Sequence, residues 1–395
     1  MKLITKINLT RFLPLIFWCM ALFCYFFQFP LRSLVKFIVP CIFLFAISEW
    51  KNIKFGKDKV YLFFISVFYV FLGLECFNSI FHGNEMNRII RFLEILAFIP
   101  FCLFIKEKQF KIHYKVLLVF AFIKSLILIG IAAYVLKMGS HQIVRNYVHS
   151  IQGGDVYLAS AYRPKIQLQG NGLLPFVFML YNAEKIRKNI ISIVLFLGII
   201  VAGNFAFILC LGLFVLYALY KLICSKKNTY GLITPIILFF FLLCIPSVFK
   251  YIDKTRQDKS DFSNAIRVEQ ATFLTDTNYF VGKGLGNNVR GKGVFRIYEN
   301  GTYFELQTLY IFNQIGILGL ALFYLVLLYW IGKKSKDKLI LFLIYLFYTF
   351  WNPYCFDTTE MMAIIVLLNL PSNRLVIHKK SRTNFLRYMG LSLRK

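Results

Sequence analysis

The chain has 395 residues, 58% of them hydrophobic and 18% aromatic, with 46 Lys and Arg against 18 Asp and Glu for a formal charge of +28. Only 16% of the residues are charged, where a soluble domain carries about a quarter. An ordinary soluble globule is excluded, and the basic surplus reads first as a matter of membrane topology rather than of nucleic-acid binding.

Apolar runs long enough for helices that cross a hydrocarbon core about 30 Å thick recur along the chain. In order they predict about twelve spans, over 12–29, 34–48, 60–81, 89–105, 116–136, 170–183, 189–203, 205–220, 230–249, 304–331, 339–352 and 359–371. The first run lacks the small-residue cleavage pattern of a removed signal peptide and is expected to be a retained helix. The fold class predicted is all-α and polytopic, one integral membrane domain over 1–395 with a basic cytoplasmic tail at 372–395.

With the N-terminus in the cytoplasm, 28 of the 46 basic residues fall on the inner side and 17 on the outer, Lys124 lying within a span. The short clusters KNIKFGKDK, KEKQFKIHYK and KKSKDK mark the inner face. Both termini are then inside, and two long stretches, 137–169 and 250–303, lie outside. Loops of that length are more often functional than connecting. The nine cysteines form no CxxC pair and avoid both long loops, so neither a disulfide framework nor a thiolate metal site is expected.

The first long loop sets Arg145, Arg163 and Lys165 against a single acid, Asp155. Arg145 reads equally as a solvated loop charge. Arg163 stands just before the next apolar run, where a guanidinium can serve an interfacial anion site. In the second loop, SNAIRVEQATFLTD has helical spacing, with Ile266, Phe273 and Leu274 apolar and Arg267 exposed beside Glu269. The stretch after it carries Gly282, Gly284, Gly286, Gly291 and Gly293, which permit tight turns or close backbone approach to a ligand. A glycine-rich surface turn without a ligand is the alternative. GKGLGNNVRGKG lacks Walker spacing and a preceding strand, so it is not a P-loop. Arg290 is a second-choice anion ligand.

Glu305 opens the tenth predicted span, where an interfacial anchor or a first-turn acid favoured by the helix dipole is the ordinary role. Glu75, Glu94, His82 and Lys124 lie in apolar surroundings and are candidates for pairing within the membrane.

In ELQTLYIFNQIGILG, Glu305 and Leu306 are followed by nine residues to Gly316 and two more to Gly319. With RVEQATFLTD and GKGLG before it and Trp351–Asn352–Pro353 after it, this order resembles the bacterial O-antigen polymerase and ligase superfamily. Ligases of that group carry His, then Asn, Ser or Gln, nine residues, Gly, two residues and Gly. The spacing matches, while Glu in place of His favours a polymerase. The resemblance implies a GT-C-like helical glycosyltransferase that moves a glycan from undecaprenyl pyrophosphate to the terminal sugar hydroxyl of another lipid-linked repeat unit. It would work on the outer side of the bacterial inner membrane without metal or cofactor, beside a flippase and a chain-length regulator, and without nucleic acid. Arg163, with Arg267, would hold the pyrophosphate through charge-assisted hydrogen bonds, with Arg145 and Arg290 as further candidates. Gly284 and Gly286 would approach the ligand, Asn352 would complete the site, and Glu305 would accept the acceptor proton. Arg163, Arg267 and Glu305 are expected to line one cavity. The alternatives are an O-antigen ligase and a transporter of lipid-linked oligosaccharide. Inverted-repeat transporters show symmetry between their halves, and none is visible in this sequence.

Overall fold

Long apolar runs satisfy their own backbone only as helices, and helices dominate the structure. The computed structural model describes residues 12–50, 58–108, 110–160, 163–183, 189–224, 265–294, 297–298, 304–350 and 352–371. The span expected at 230–249, the tail at 372–395, Trp351 and the first part of the second long loop lie outside the described residues. In chain order the helices are α1 (Leu13–Phe26), α2 (Val35–Ser48), α3 (Lys59–Phe81), α4 (Met86–Phe101), α5 (Phe110–Met138), α6 (Gln142–Ser150), α7 (Leu174–Asn182), α8 (Ile190–Ala202), α9 (Phe205–Cys224), α10 (Ala265–Thr275), α11 (Gln307–Lys334), α12 (Lys336–Phe350) and α13 (Thr358–Asn369).

Three of these, α3, α5 and α11, are long and apolar enough to cross a membrane, whereas α1, α8, α9 and α13 have apolar segments too short to meet the same measure. On α3 the residues Phe63, Val70 and Phe77 recur every seven positions and are each more than 60% exposed. Such an apolar stripe has no place on a soluble surface. The opposite side of α3 packs on α11, with Tyr61 and Trp330 rings 4.2 Å apart and Phe68 and Phe323 5.8 Å apart. Gly319 allows that approach, since a Cβ there would lie 2.6 Å from the Phe71 ring. α1 packs on α2 and α5, α5 on α8, and α12 on α9.

The expected outer loop at 137–169 is not irregular. It holds α6 and an antiparallel hairpin of β1 (Gly154–Ser160) and β2 (Arg163–Leu168), in the register Gly154 to Leu168 with an irregularity after Leu158. The span expected at 170–183 is correspondingly shorter, because the chain enters through the hairpin and only Leu174–Asn182 is helical. The hairpin end is deeply inserted: Lys124, 1% exposed on α5, donates through Nζ to the Gln169 carbonyl at 2.7 Å. A second small sheet pairs β3 (Gly291–Lys292) with β4 (Ile297–Tyr298).

α11 is broken at Gly316, whose φ of 62° and ψ of −171° lie in a region open essentially to glycine alone. The glycine-rich segment fills the break. Tyr279 and Phe280 carbonyls accept the N–H groups of Ile317 and Leu318 at 2.8 and 3.2 Å, while Lys283 and Gly284 N–H groups donate to the carbonyls of Asn313 and Gln314 at 2.8 and 3.0 Å. Gly282, Gly284 and Gly286 each approach backbone closely; at Gly284 a Cβ would sit 2.9 Å from Ser79 Cα, and at Gly286 2.8 Å from Ile89 N.

The described residues of the stretches read as cytoplasmic gather at one end of the helices. There Lys333 and Tyr329 meet Asp58, Lys221 and Tyr217 meet Asp337, and Lys338 Nζ donates to the Leu370 carbonyl at 2.7 Å.

Replacing Gly316 by Ala puts a Cβ against the Phe280 carbonyl and forces a strained φ, at a cost of about 1–3 kcal/mol for the backbone alone. Gly212, which has open space around its Cα, is the matched position. Thermal unfolding in detergent is expected to show a lower midpoint or lost folded yield for Gly316→Ala and little change for Gly212→Ala.

Candidate functional site

At the other end of the helices lies a cavity of about 2080 Å³. Its walls come from distant parts of the chain: the first turns of α4, α6 with its hairpin, the tight Gly203–Asn204 turn between α8 and α9, the entry to α11, and the link from α12 to α13.

Arg267 and Glu305 meet on one wall. α10 presents Arg267 and, one turn later, the fully buried Gln270 on a single face. Arg267 Nε donates to Glu305 Oε2 at 3.1 Å, and Gln270 Oε1 accepts the Glu305 backbone N–H at 3.0 Å. Helix α10 thereby holds residue 305 by both its side chain and its main chain. The pair is partly exposed, 33% for Arg267 and 23% for Glu305, so its value lies in fixing geometry more than in net stability.

Arg145 also lines the cavity but is clasped within its own loop. Its Nε and Nη2 donate to the two Asp155 oxygens at 2.9 and 3.3 Å, and His149, one turn along α6, reaches Asp155 Oδ1 at 2.8 Å. Burial alone would raise the Asp155 carboxyl, but the hydrogen bonds from His149 and Arg145 outweigh it and hold the group below its ordinary value. The backbone of Arg163 opens β2, opposite Ser160; its side chain lies outside what is described.

Asn352 faces the cavity from the α12–α13 link and accepts from Asn204 Nδ2 at 2.6 Å. That link is pinned along its length. Tyr345 donates to the Tyr354 carbonyl at 2.8 Å, and Gln307 engages Phe356 twice, accepting its N–H at 3.1 Å and donating to its carbonyl at 3.4 Å. The next residue, Asp357, caps α13 by accepting the Thr359 N–H at 2.7 Å. Burial by the surrounding protein pushes its carboxyl up to about 7, against the pull of the Thr359 hydrogen bonds.

Arg290 is exposed and is not among the lining residues; Gly284 and Gly286 contact α3 and α4 rather than the cavity. The four intramembrane candidates make no ion pair with one another, although His82 lies near enough to Glu75 to act on it electrostatically. Glu75 accepts from Asn78 at 3.0 Å, Lys124 donates to Gln169, His82 contacts the Asn78 carbonyl at 2.8 Å, and Glu94 lines the cavity. Sequence reasoning passes over Arg88, Arg91, Tyr310 and Asp357, all of which line the cavity. The spacing Arg-x-x-Arg at a helix start and an Asp before Thr-Thr-Glu are the available signals. Among the described residues no group of three His, Cys, Asp or Glu is placed to hold a metal ion.

No known family model, curated protein or solved structure matches the chain.

Two carboxylates give pH tests of opposite sign. The first variant is Asp357→Asn, which retains a good N-cap for α13. A carboxyl with a raised folded value is disfavoured when charged, so Asp357 costs the fold stability as pH rises from about 4, its unfolded value, to about 7. The unfolding midpoint of Asp357→Asn is expected to gain on the natural protein across that window and to hold a constant lead above it. Asp155 runs the other way: its depressed value stabilises the α6–hairpin clasp above about pH 4, and that contribution is lost as pH falls through the folded value. Hydrogen exchange over 142–160 should rise in Asp155→Asn at neutral pH and in the natural protein only in acid.

Proposed function

We propose that the protein is a bacterial membrane glycosyltransferase that polymerises a surface glycan, with about twelve spans, both termini in the cytoplasm and the cavity open to the outer side of the inner membrane. The observation that carries this reading is the convergence of Arg267, Glu305, Arg145 and Asn352, drawn from three separate regions of the chain, on one cavity. Its volume of about 2080 Å³ exceeds the roughly 300–1,000 Å³ of small-molecule pockets and suits a bulky oligosaccharide. The exposed apolar stripe of α3 supports a lipid-facing surface, and Lys221 and Lys333 at the end away from the cavity support the orientation.

In this reading the donor is a glycan on undecaprenyl pyrophosphate and the acceptor is a second lipid-linked repeat unit. The acceptor hydroxyl oxygen attacks the anomeric carbon of the donor, the carbon–oxygen bond to the pyrophosphate breaks, and the pyrophosphate leaves with the electron pair. Glu305 takes the hydroxyl proton, and Arg267, 3.1 Å away, positions the carboxylate and adds positive charge beside the developing anion. Asn352, held by Asn204 and donating one N–H to the Tyr348 carbonyl, offers its remaining amide N–H to sugar hydroxyls in the same cavity.

Deleting the gene is expected to leave single repeat units on their carrier or lipid core. A ligase deletion would instead accumulate long unattached chains, and a transporter deletion would trap units on the cytoplasmic leaflet. Complementation with Glu305→Gln, at equal membrane abundance, should lower polymer formation by about 10²–10⁴-fold, the usual contribution of a general base. Polymer of natural length on a gel of surface glycans would remove Glu305 from the chemistry.

A further inference from the structure

The arginines assigned above already have acids: Arg267 is held by Glu305 and Arg145 by Asp155. The cavity contains two more guanidiniums on α4. Arg88 and Arg91, with Phe92 and Ile95, lie at helical spacing and all line it. Arg88 Nε is paired to Glu85 at 2.9 Å, but its Nη1 is buried and has no hydrogen-bond partner among the described residues. Arg91 is exposed and makes no ion pair among the described residues.

Tyr310, in the first turn of α11, completes this wall. Its ring meets Phe92 edge-on at 5.3 Å, it is only 3% exposed, and its buried hydroxyl has no partner among the described residues. The guanidiniums of Arg88 and Arg91 both lie near enough to act on it electrostatically. Two acids stand nearby on α4, Glu85, which is spent on Arg88, and Glu94, which lines the cavity without pairing to either arginine among the described residues. The Arg88 Nη1, the Arg91 guanidinium and the Tyr310 hydroxyl thus converge where no acceptor among the described residues is seen to meet them. Buried donors are almost always satisfied, and guanidiniums with a hydroxyl match the several oxygens of a phosphate.

We propose that Arg88, Arg91 and Tyr310 form a binding site for a phosphate or diphosphate group. The site deepens the glycosyltransferase reading, and rests on it only in naming a lipid-linked diphosphate as the natural ligand; the headgroup of an anionic phospholipid has the same chemistry.

The full-length protein in phosphatidylcholine nanodiscs is titrated with inorganic pyrophosphate and with farnesyl pyrophosphate, and binding is followed by thermophoresis. Arg91→Gln, an exposed position, is expected to weaken both by about 10-fold, and the conservative Tyr310→Phe by about 3-fold, as befits the loss of a charge-assisted and a neutral hydrogen bond. Lys336→Gln, an equal charge change at the far end, should bind as the natural protein does. Repeating the titration with phosphatidylglycerol in the disc separates the sources: Arg91-dependent competition identifies a phospholipid headgroup, and its absence with retained farnesyl pyrophosphate binding identifies the isoprenoid diphosphate. No binding by the natural protein, or variants that lose no more than Lys336→Gln, overturns the site. The polymerase reading fails separately, when gene deletion leaves the surface glycans unchanged, whatever the titrations show.

Discussion

The break in α11 is the constraint on which the cavity depends. A continuous helix would join the Ile317 N–H to the Asn313 carbonyl and the Leu318 N–H to the Gln314 carbonyl. The chain turns out of the helix at Gly316 instead, and each of the four groups is taken up by the segment 279–284. A break of this kind in an apolar helix is tolerated only where another piece of protein satisfies the backbone. Asn313 and Gln314, 1% and 0% exposed, reinforce the join: Gln314 exchanges hydrogen bonds with the Asn287 backbone at 2.9 and 3.2 Å, and Asn313 donates to the Leu274 carbonyl at 3.0 Å. The last of these ties the join to α10, and α10 in turn carries Arg267 and Gln270 to Glu305. Disturbing Gly316 therefore displaces the cavity wall about three turns away.

In the sequence the glycine-rich segment reads as a ligand loop because flexible backbone and anion binding share one signature. Its partner is the protein's own backbone about thirty residues later, which no local pattern discloses. The same limit explains Arg88 and Arg91, since two basic residues flanking an apolar run look alike whether they fix topology or face a cavity. The hairpin is illegible for another reason: its strands are seven and six residues long, and Pro164 interrupts the alternation in the second. By contrast α3, α5, α11 and the helix carrying Arg267 are legible. Their apolar spacing runs long enough, or in α10 regularly enough, for local periodicity to determine the element.

With 18 acids among 46 bases, where the acids sit is more informative than where the bases do. At one end Asp58 and Asp337 clamp helix ends through Lys333 and Lys221; at the cavity, Asp155, Glu305 and Glu85 each hold an arginine. Pairs this exposed contribute little to stability, but they set the direction of long side chains that would otherwise wander. An arginine already held by a carboxylate can still help an anion, at the cost of sharing its donors. A free one has all of its donors to give. What can capture an anion in this cavity is accordingly what pairing leaves over, and among the described residues that is Arg91 and the Nη1 of Arg88 that Glu85 does not engage, both on the first turns of α4.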